Sequence, residues 1–255
     1  MDNVAATGFA AGADAYQNAR PSWPLEAVDC AFEDWQIDPS GGLVIDLAAG
    51  TGRLTAQLAR RCQQLLAIEP VAEMRAHIRG VPAVAGTAEQ LPLDDSSAQA
   101  MFVAEAFHWF DYPAALAEAA RVLRRGGGLA VMWNHALSND DQTPVRAALT
   151  ELIRPHLYHP KTVRWLERDA RTDESWRMGP GWEAFEPLSN REFVHEQDAT
   201  RQTLVSLVGS WSFIAALDEQ TRTDLLRRVD ELLRAHGVER YRQRWRCDLF
   251  LTRRR

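Results

Sequence analysis

The sequence predicts an α/β fold: a doubly wound, seven-stranded, mostly parallel sheet, with an N-terminal helical segment and a helical insertion or cap. Three observations predict it. Short, continuously apolar runs alternate with stretches of helical period between residues 43 and 133. A glycine-rich loop directly follows the first of these runs. Two further strand-like runs separated by helices close the chain. Strands alternating with helices imply crossover connections and a parallel sheet covered on both faces. A chain of 255 residues, 46% hydrophobic and 25% charged, is large enough and ordinary enough in composition for one such globular fold.

The elements follow in order. The first forty residues read as helical and irregular, punctuated by Pro21, Pro24 and Pro39. Leu43-Val44-Ile45-Asp46-Leu47 reads as a strand buried on both faces, because it is apolar without alternation. Residues 53–61 read as a helix with Leu54 and Leu58 on one face, residues 65–68 as a second strand, and Val71, Met74 and Ile78 recur at helical spacing. Residues 81–85 and 99–104 read as a third and a fourth strand. Residues 113–125 read as a helix, with Pro113 in its first turn, Leu116, Ala120 and Leu123 as its stripe and Gly126 as its stop. Residues 128–133 read as the fifth strand. After Asn134 the rhythm changes to a stretch rich in Trp, Arg and Pro. Strands at 191–197 and 244–252 and helices at 200–216 and 221–236 complete the chain. The expected organisation is an N-terminal segment (1–40), a ligand-binding core (41–135), a cap (136–189) and a C-terminal part of the core (190–255).

Charge and cysteine usage exclude several classes. A net charge of −6 repels phosphate backbones, so nucleic acid is not an expected partner. Cys30, Cys62 and Cys247 form neither a CxxC pair nor a metal spacing, which suits a reducing compartment and argues against a disulfide framework. The first residues carry no basic region ahead of an apolar core, and no apolar run is long enough to span a bilayer. The expectation is a cytoplasmic protein, monomeric or homodimeric, with no membrane partner. His156 and His159 sit three residues apart, but no acidic or cysteine ligand completes a site, and no metal is expected.

The loop Ala48-Ala49-Gly50-Thr51-Gly52 lies where strand turns into helix. Glycines there allow a sharp turn and close approach of a ligand to the backbone, and helix N-terminal amides point at it. Glu69 ends the second strand, 23 residues after Asp46, where a carboxylate accepts hydrogen bonds from a ribose diol. Alone, these features license only a nucleotide-like ligand, and a nicotinamide-dependent oxidoreductase remains open. A plain strand-to-helix turn and a solvated strand-end acid are the blander alternatives.

Four motifs narrow the choice. The run from Val44 to Gly52 resembles the first motif of the Rossmann-like, class I S-adenosylmethionine-dependent methyltransferases, usually written D-x-G-x-G-x-G. Ala67-Ile68-Glu69-Pro70 through Met74 resembles their second motif. Gly86-Thr87-Ala88-Glu89-Gln90-Leu91-Pro92-Leu93 is similar to their G-D/N-A-E-x-L-P segment, and Arg121-Val122-Leu123-Arg124-Arg125-Gly126-Gly127 to their R-V-L-K-P-G-G helix end. The resemblance covers residues 40–135. His108-Trp109-Phe110 and the segment Tyr16 to Pro21 resemble the trans-aconitate methyltransferase-like branch.

The resemblance implies S-adenosyl-L-methionine as cofactor and a small-molecule acceptor. Asp46 and the loop Ala48, Ala49, Gly50, Thr51 and Gly52 would face the methionine moiety. Glu69 would hold the ribose, Pro70 and Met74 would flank the adenine, and Thr87, Ala88 and Glu89 would cover its edge. Glu105, Ala106 and Phe107 would pass near the sulfonium, and Tyr16 and Arg20 would line the site. Two departures stand out: Ala48 replaces the first glycine, which an alanine tolerates if its φ is negative, and Thr87 replaces an Asp or Asn. A binding protein that keeps the cofactor without transfer stays open on that account.

Methyl transfer is an in-line displacement, so orientation alone supplies much of the rate, roughly 7–11 kcal/mol at best. A base is needed where the acceptor carries a proton. His108 is the candidate, since a histidine takes up a proton near neutral pH. Trp165, Trp176 and Trp182 with nearby arginines suggest a cap with a pocket beneath it, and Ser210-Trp211-Ser212 a packed helical segment that reaches toward that pocket.

Overall fold

The computed structural model describes residues 20–137, 143–156 and 175–255. The elements are α1 (Leu25–Trp35), β1 (Leu43–Leu47), α2 (Thr55–Leu58), β2 (Gln64–Ile68), α3 (Ala72–Arg75), β3 (Ala83–Val84), β4 (Ala98–Ala104), α4 (Tyr112–Val122), β5 (Leu123–Ala136), α5 (Thr143–Ile153), α6 (Ser175–Met178), β6 (Ser189–Thr200), α7 (Arg201–Gly209), α8 (Ser212–Ala215), α9 (Glu219–Ala235) and β7 (Arg240–Arg253). The strands form one seven-stranded sheet in the order β3-β2-β1-β4-β5-β7-β6. The contacts β1·β2, β1·β4, β2·β3 and β4·β5 are parallel. β7 runs the other way: Gly127 pairs with Arg254 while Leu137 pairs with Arg244. β6 reverses again against β7, with Glu186 bonded to Arg253 and Arg201 to Glu239. β7 is thus the one antiparallel strand, and the expected doubly wound, mostly parallel sheet of seven is the observed one.

The chain divides into two compact units. The first contains Ser22–His135, Glu174–Val194 and Arg246–Arg255. Its strands alternate between two apolar layers. Ile45, Leu47, Met101, Val103, Leu129, Val131, Trp133 and Phe250 face the layer closed by Leu116, Ala119 and Val122 of α4. Val44, Ala100, Phe102, Ala130, Met132, Cys247, Leu249 and Leu251 face the layer closed by α1 and Leu58 of α2. In that second layer Phe32, Trp35 and Phe102 lie with ring centroids 5.4–6.0 Å apart. Each such side chain removed from water contributes about 1.5–3 kcal/mol.

The second unit contains Met1–Pro21, Ala136–Asp173 and His195–Trp245. Among its described residues, Ile153, Val205, Val208, Ile214, Leu225, Val229 and Leu233 form the core. α9 presents Leu225, Val229 and Leu233 at four-residue spacing, and Asp218 caps its N-terminus by accepting the Thr221 amide at 2.9 Å. Residues 136–189, read from sequence as one cap, are split between the units: α5 belongs to the second, and α6 with Trp176 and Trp182 to the first. There Trp176 is buried against Phe107, Trp133 and Phe250, as part of the core. Trp165 and His159 lie outside the described residues.

Several boundaries differ from the sequence reading. The helix expected to reach residue 125 ends at Val122, and Leu123 already has extended backbone (ψ 136°). The strand β5 therefore starts before the three glycines. Gly128 explains why a glycine run is tolerated inside a strand: a Cβ there would sit 2.1 Å from the Trp35 ring. The helix read at 53–61 is regular only over α2, and the third strand only over two residues. The helix read at 200–216 breaks at Ser210-Trp211 into α7 and α8. β7 is buried on both sides: Cys247, Leu249 and Leu251 on one, Arg246, Asp248, Phe250 and Thr252 on the other.

Candidate cofactor and acceptor site

The order β3-β2-β1-β4-β5 puts the reversal of strand succession between β1 and β4, and ligands of open α/β sheets bind outside the carboxyl ends of strands at such a point. Both strands end there in unusual backbone. Ala48, just past β1, has φ 54°, and Glu105, just past β4, has φ 54°. Left-handed backbone costs an L-residue about 1–2 kcal/mol. Non-glycine strain of this kind collects at functional sites. The condition under which an alanine is tolerated at position 48 is therefore not met: its φ is positive, and the strain is carried.

The loop is tied to the tip of β2. Ala49 donates to the Ile68 carbonyl (3.1 Å), and Gly52 to that of Ala49 (2.9 Å). Gly50 (φ 58°) and Gly52 (φ 84°) adopt conformations that favour glycine. Met74 lies beneath Gly50, its Cε 3.6 Å from where a Cβ would stand, and Ile78 lies beneath Gly52. Glu69 joins the two segments: Oε2 accepts the Gly50 amide at 2.9 Å and Oε1 the Val71 amide at 2.8 Å. Burial pushes the Glu69 carboxyl above the usual carboxylate range, against the hydrogen bonds from Val71 and Gly50 and the charge of Arg75. Arg75 also donates to the carbonyls of Glu69 (2.6 Å) and Pro70 (3.3 Å) and so fixes the turn after β2.

Asp46 is 1% exposed, and its Oδ2 accepts the Thr55 hydroxyl at 2.5 Å. Desolvation raises its pKa to about 7, with Thr55 opposing and the Glu69 charge adding to the shift. It braces the loop from β1 to α2 from behind. Thr51 is 2% exposed, and its hydroxyl has no hydrogen-bond partner among the described residues. A buried hydroxyl left this way costs about 1–3 kcal/mol, and a bound ligand is one way to satisfy it.

The remaining predicted residues divide into three groups. Thr87 and Gln90 close a tight antiparallel bridge, Ala88 is buried in the core, and Glu89 accepts the Asp111 amide at the start of α4 (3.1 Å). Arg121 clamps this segment through Glu118, Asp95 and the carbonyls of Leu91 and Leu93. Ala106 and Phe107 are buried at the turn after β4, and the Glu105 carboxylate accepts the Asn134 amide at 2.7 Å. His108 is half-buried, with the Trp133 indole N–H directed at its Nδ1 at 3.5 Å. Arg20 belongs to the second unit, where it donates to Ser210 Oγ (3.1 Å), and Tyr16 lies outside the described residues. A cluster of buried Arg246 and Asp248 on β7 with half-buried His135 on β5 was not foreseen. No sequence signal marks it, because its members meet only through the β5–β7 register.

This topology, with one reversed strand next to the edge and an acid facing a glycine loop, is the fold of the Rossmann-like methyltransferases. Residues 45–131 match the family described as a methyltransferase domain. An uncharacterized methyltransferase of Mycobacterium tuberculosis is 35% identical over 232 residues, covering 89% of this chain and 86% of the relative. An uncharacterized methyltransferase-like protein of Schizosaccharomyces pombe is 28% identical over 225 residues, covering 85% and 82%. A solved structure named as a type II methyltransferase of Anaeromyxobacter dehalogenans superposes with a TM-score of 0.68 at 21% identity, over 92% of this chain and 97% of that one, and shares the fold. The chain belongs to the class I S-adenosylmethionine-dependent methyltransferase family. That membership decides against the nicotinamide-dependent oxidoreductase which the glycine loop alone allowed. No described helix is long and apolar enough to cross a membrane.

Proposed function

We propose that this enzyme binds S-adenosyl-L-methionine at the carboxyl ends of β1, β2 and β4 and transfers its methyl group to a small-molecule acceptor. The observation that carries the reading is the pairing of Glu69 with Gly50 beside the Thr51 hydroxyl, which has no partner among the described residues. Each oxygen of Glu69 accepts one amide and keeps a second lone pair for a ribose hydroxyl. The amides and hydroxyl of the 48–52 loop suit the carboxylate end of the methionine moiety. Pro70 and Met74 offer apolar surface to the adenine, and Thr87, Ala88 and Glu89 its polar edge. Glu105, Ala106 and Phe107 border the methyl-transfer end, with His108 beyond them.

When bound, the cofactor supplies an electrophilic methyl on a sulfonium. The chain's own contribution is to hold that methyl in line with the acceptor and to keep water away. The net charge of −6 favours a small acceptor over a nucleic acid. Calorimetry with S-adenosylhomocysteine tests the reading. The expected dissociation constant is in the micromolar range, and Glu69→Gln weakens it about tenfold, roughly the loss of one charge-assisted hydrogen bond. A folded wild-type protein that gives no binding heat with either S-adenosylmethionine or S-adenosylhomocysteine overturns it.

A further inference from the structure

β5 and β7 place an unusual polar row at the edge of the same region. Leu137 pairs with Arg244 and Gly127 with Arg254, so the register is uninterrupted, and it sets Trp133 opposite Asp248 and His135 opposite Arg246. Asp248 is 2% exposed and Arg246 6%. Arg246 holds the carboxylate with both arms, Nε to Oδ1 at 2.6 Å and Nη2 to Oδ2 at 2.9 Å. His135 Nε2 lies 3.2 Å from the same Oδ2. An ion pair this buried is costly to desolvate, and an apolar pair of similar volume is often as stable or more so. The cluster nonetheless lies on the apolar face of the sheet that carries Trp133 and Phe250. Burial opposes ionisation of Asp248, yet the hydrogen bonds and charges of His135 and Arg246 together hold it below the usual carboxylate range.

The consequence for His135 is a fixed tautomer. Asp248 is ionised and accepts, so neutral His135 carries its proton on Nε2 and its lone pair on Nδ1. Its side chain is 20% exposed, so the ring is not sealed into the core as Asp248 is. His135 also stands at the carboxyl end of β5, next to Asn134, whose amide is held by Glu105 at the tip of β4. His108 is placed less well for proton uptake, because the Trp133 indole N–H is directed at its Nδ1 and the neutral ring then carries its own proton on Nε2.

We propose that His135, oriented by Asp248 and Arg246, takes the proton of the acceptor's nucleophile during methyl transfer; this rests on the reading of the chain as an active methyltransferase with a protic small acceptor. The acceptor's hydroxyl or thiol forms a bond to the methyl carbon. The electron pair of the broken S–CH3 bond stays on sulfur, and the hydroxyl or thiol proton passes to His135 Nδ1 and from there to water. Among the described residues, Asp248 and Arg246 on β7 bear on His135 directly, Glu105 holds the amide of the neighbouring Asn134, His108 receives the Trp133 indole N–H, and Arg177 stacks on Phe250, two residues from Asp248, while Cys247 lies on the opposite face of β7. Asp248 and Arg246 are positioning residues.

The test uses the full chain, its His135→Asn and His135→Ala variants, radiolabelled S-adenosylmethionine, and catechol, 4-nitrophenol and thiophenol as acceptor probes. Nitrogen NMR of the wild-type histidines gives a readout independent of turnover, and the expected result is an Nε2–H tautomer for His135. Both variants should bind S-adenosylhomocysteine within twofold of wild type while turnover falls about 10²–10⁴-fold. Added imidazole should restore part of the activity of His135→Ala only. An Nδ1–H tautomer, or variants that turn over at the wild-type rate, overturns the proposal, as does wild-type protein that binds the cofactor but methylates none of the probes. Wild-type protein that binds no cofactor overturns instead the functional reading on which it rests.

Discussion

Replacing Ala48 by glycine should cost this enzyme less than a glycine substitution usually does, because the backbone there already favours glycine. Ala48 holds φ 54°, a conformation that costs an alanine about 1–2 kcal/mol. Glycine removes that strain but makes the unfolded chain more flexible, at a cost of about 0.5–1 kcal/mol. It also removes one partly buried methyl. Ala49 is the internal control: it is the next residue, it is also half-buried, and its φ is not positive. Ala49→Gly carries the same flexibility cost and a similar methyl loss with no strain to relieve. The two variants should therefore differ by about 1–2 kcal/mol in favour of Ala48→Gly, the strain alone. For a chain of this size that separates their melting temperatures by about 2–8 °C. Thermal unfolding of both variants, followed by circular dichroism, measures the difference. An Ala48→Gly variant that melts at or below Ala49→Gly refutes the strain argument.

Two further outcomes follow from packing and charge. Gly128→Ala should cost about 3 kcal/mol or more, because its Cβ would meet the Trp35 ring at 2.1–2.4 Å. Urea unfolding checks this, and Trp35→Leu in the same background should cost less than the two single changes summed, since it vacates the space. The Asp46 pKa is raised to about 7 from 3.8, so its stabilising contribution is full below pH 4 and is lost as pH rises toward 7. Stability of wild type relative to Asp46→Asn should accordingly fall by more than about 1 kcal/mol between pH 5 and 8. A flat difference over that window contradicts the buried placement of Asp46.

The central strands were legible because burial on both faces leaves no room for polar residues: Val44-Ile45 and Leu65 through Ile68 read as strands from apolar content alone. The cofactor motifs were legible because each is contiguous and carried by special backbone or a strand-end acid. Glu69 read as the acid ending the second strand, 23 residues after Asp46, and in the structure it accepts the Gly50 amide. What was not legible depends on the third dimension. The positive φ of Ala48 is imposed by the turn between β1 and α2, and no residue type announces it. Gly126 read as a helix stop and Gly128 as the start of a strand, but the need for glycine at 128 was not legible, because it comes from Trp35 on α1. The enclosure of Asp248 on β7 was not legible, since alternation cannot distinguish an exposed Asp from one enclosed by Arg246 and His135.

A crystal structure with S-adenosylhomocysteine tests the central claim most directly. The ribose hydroxyls should lie on the Glu69 carboxylate, a ligand acceptor within hydrogen-bond distance of Thr51 Oγ1, and the sulfur toward the turn after β4 at Glu105 to Phe107. A ligand whose ribose lies away from Glu69, or which binds elsewhere on the chain, would contradict it.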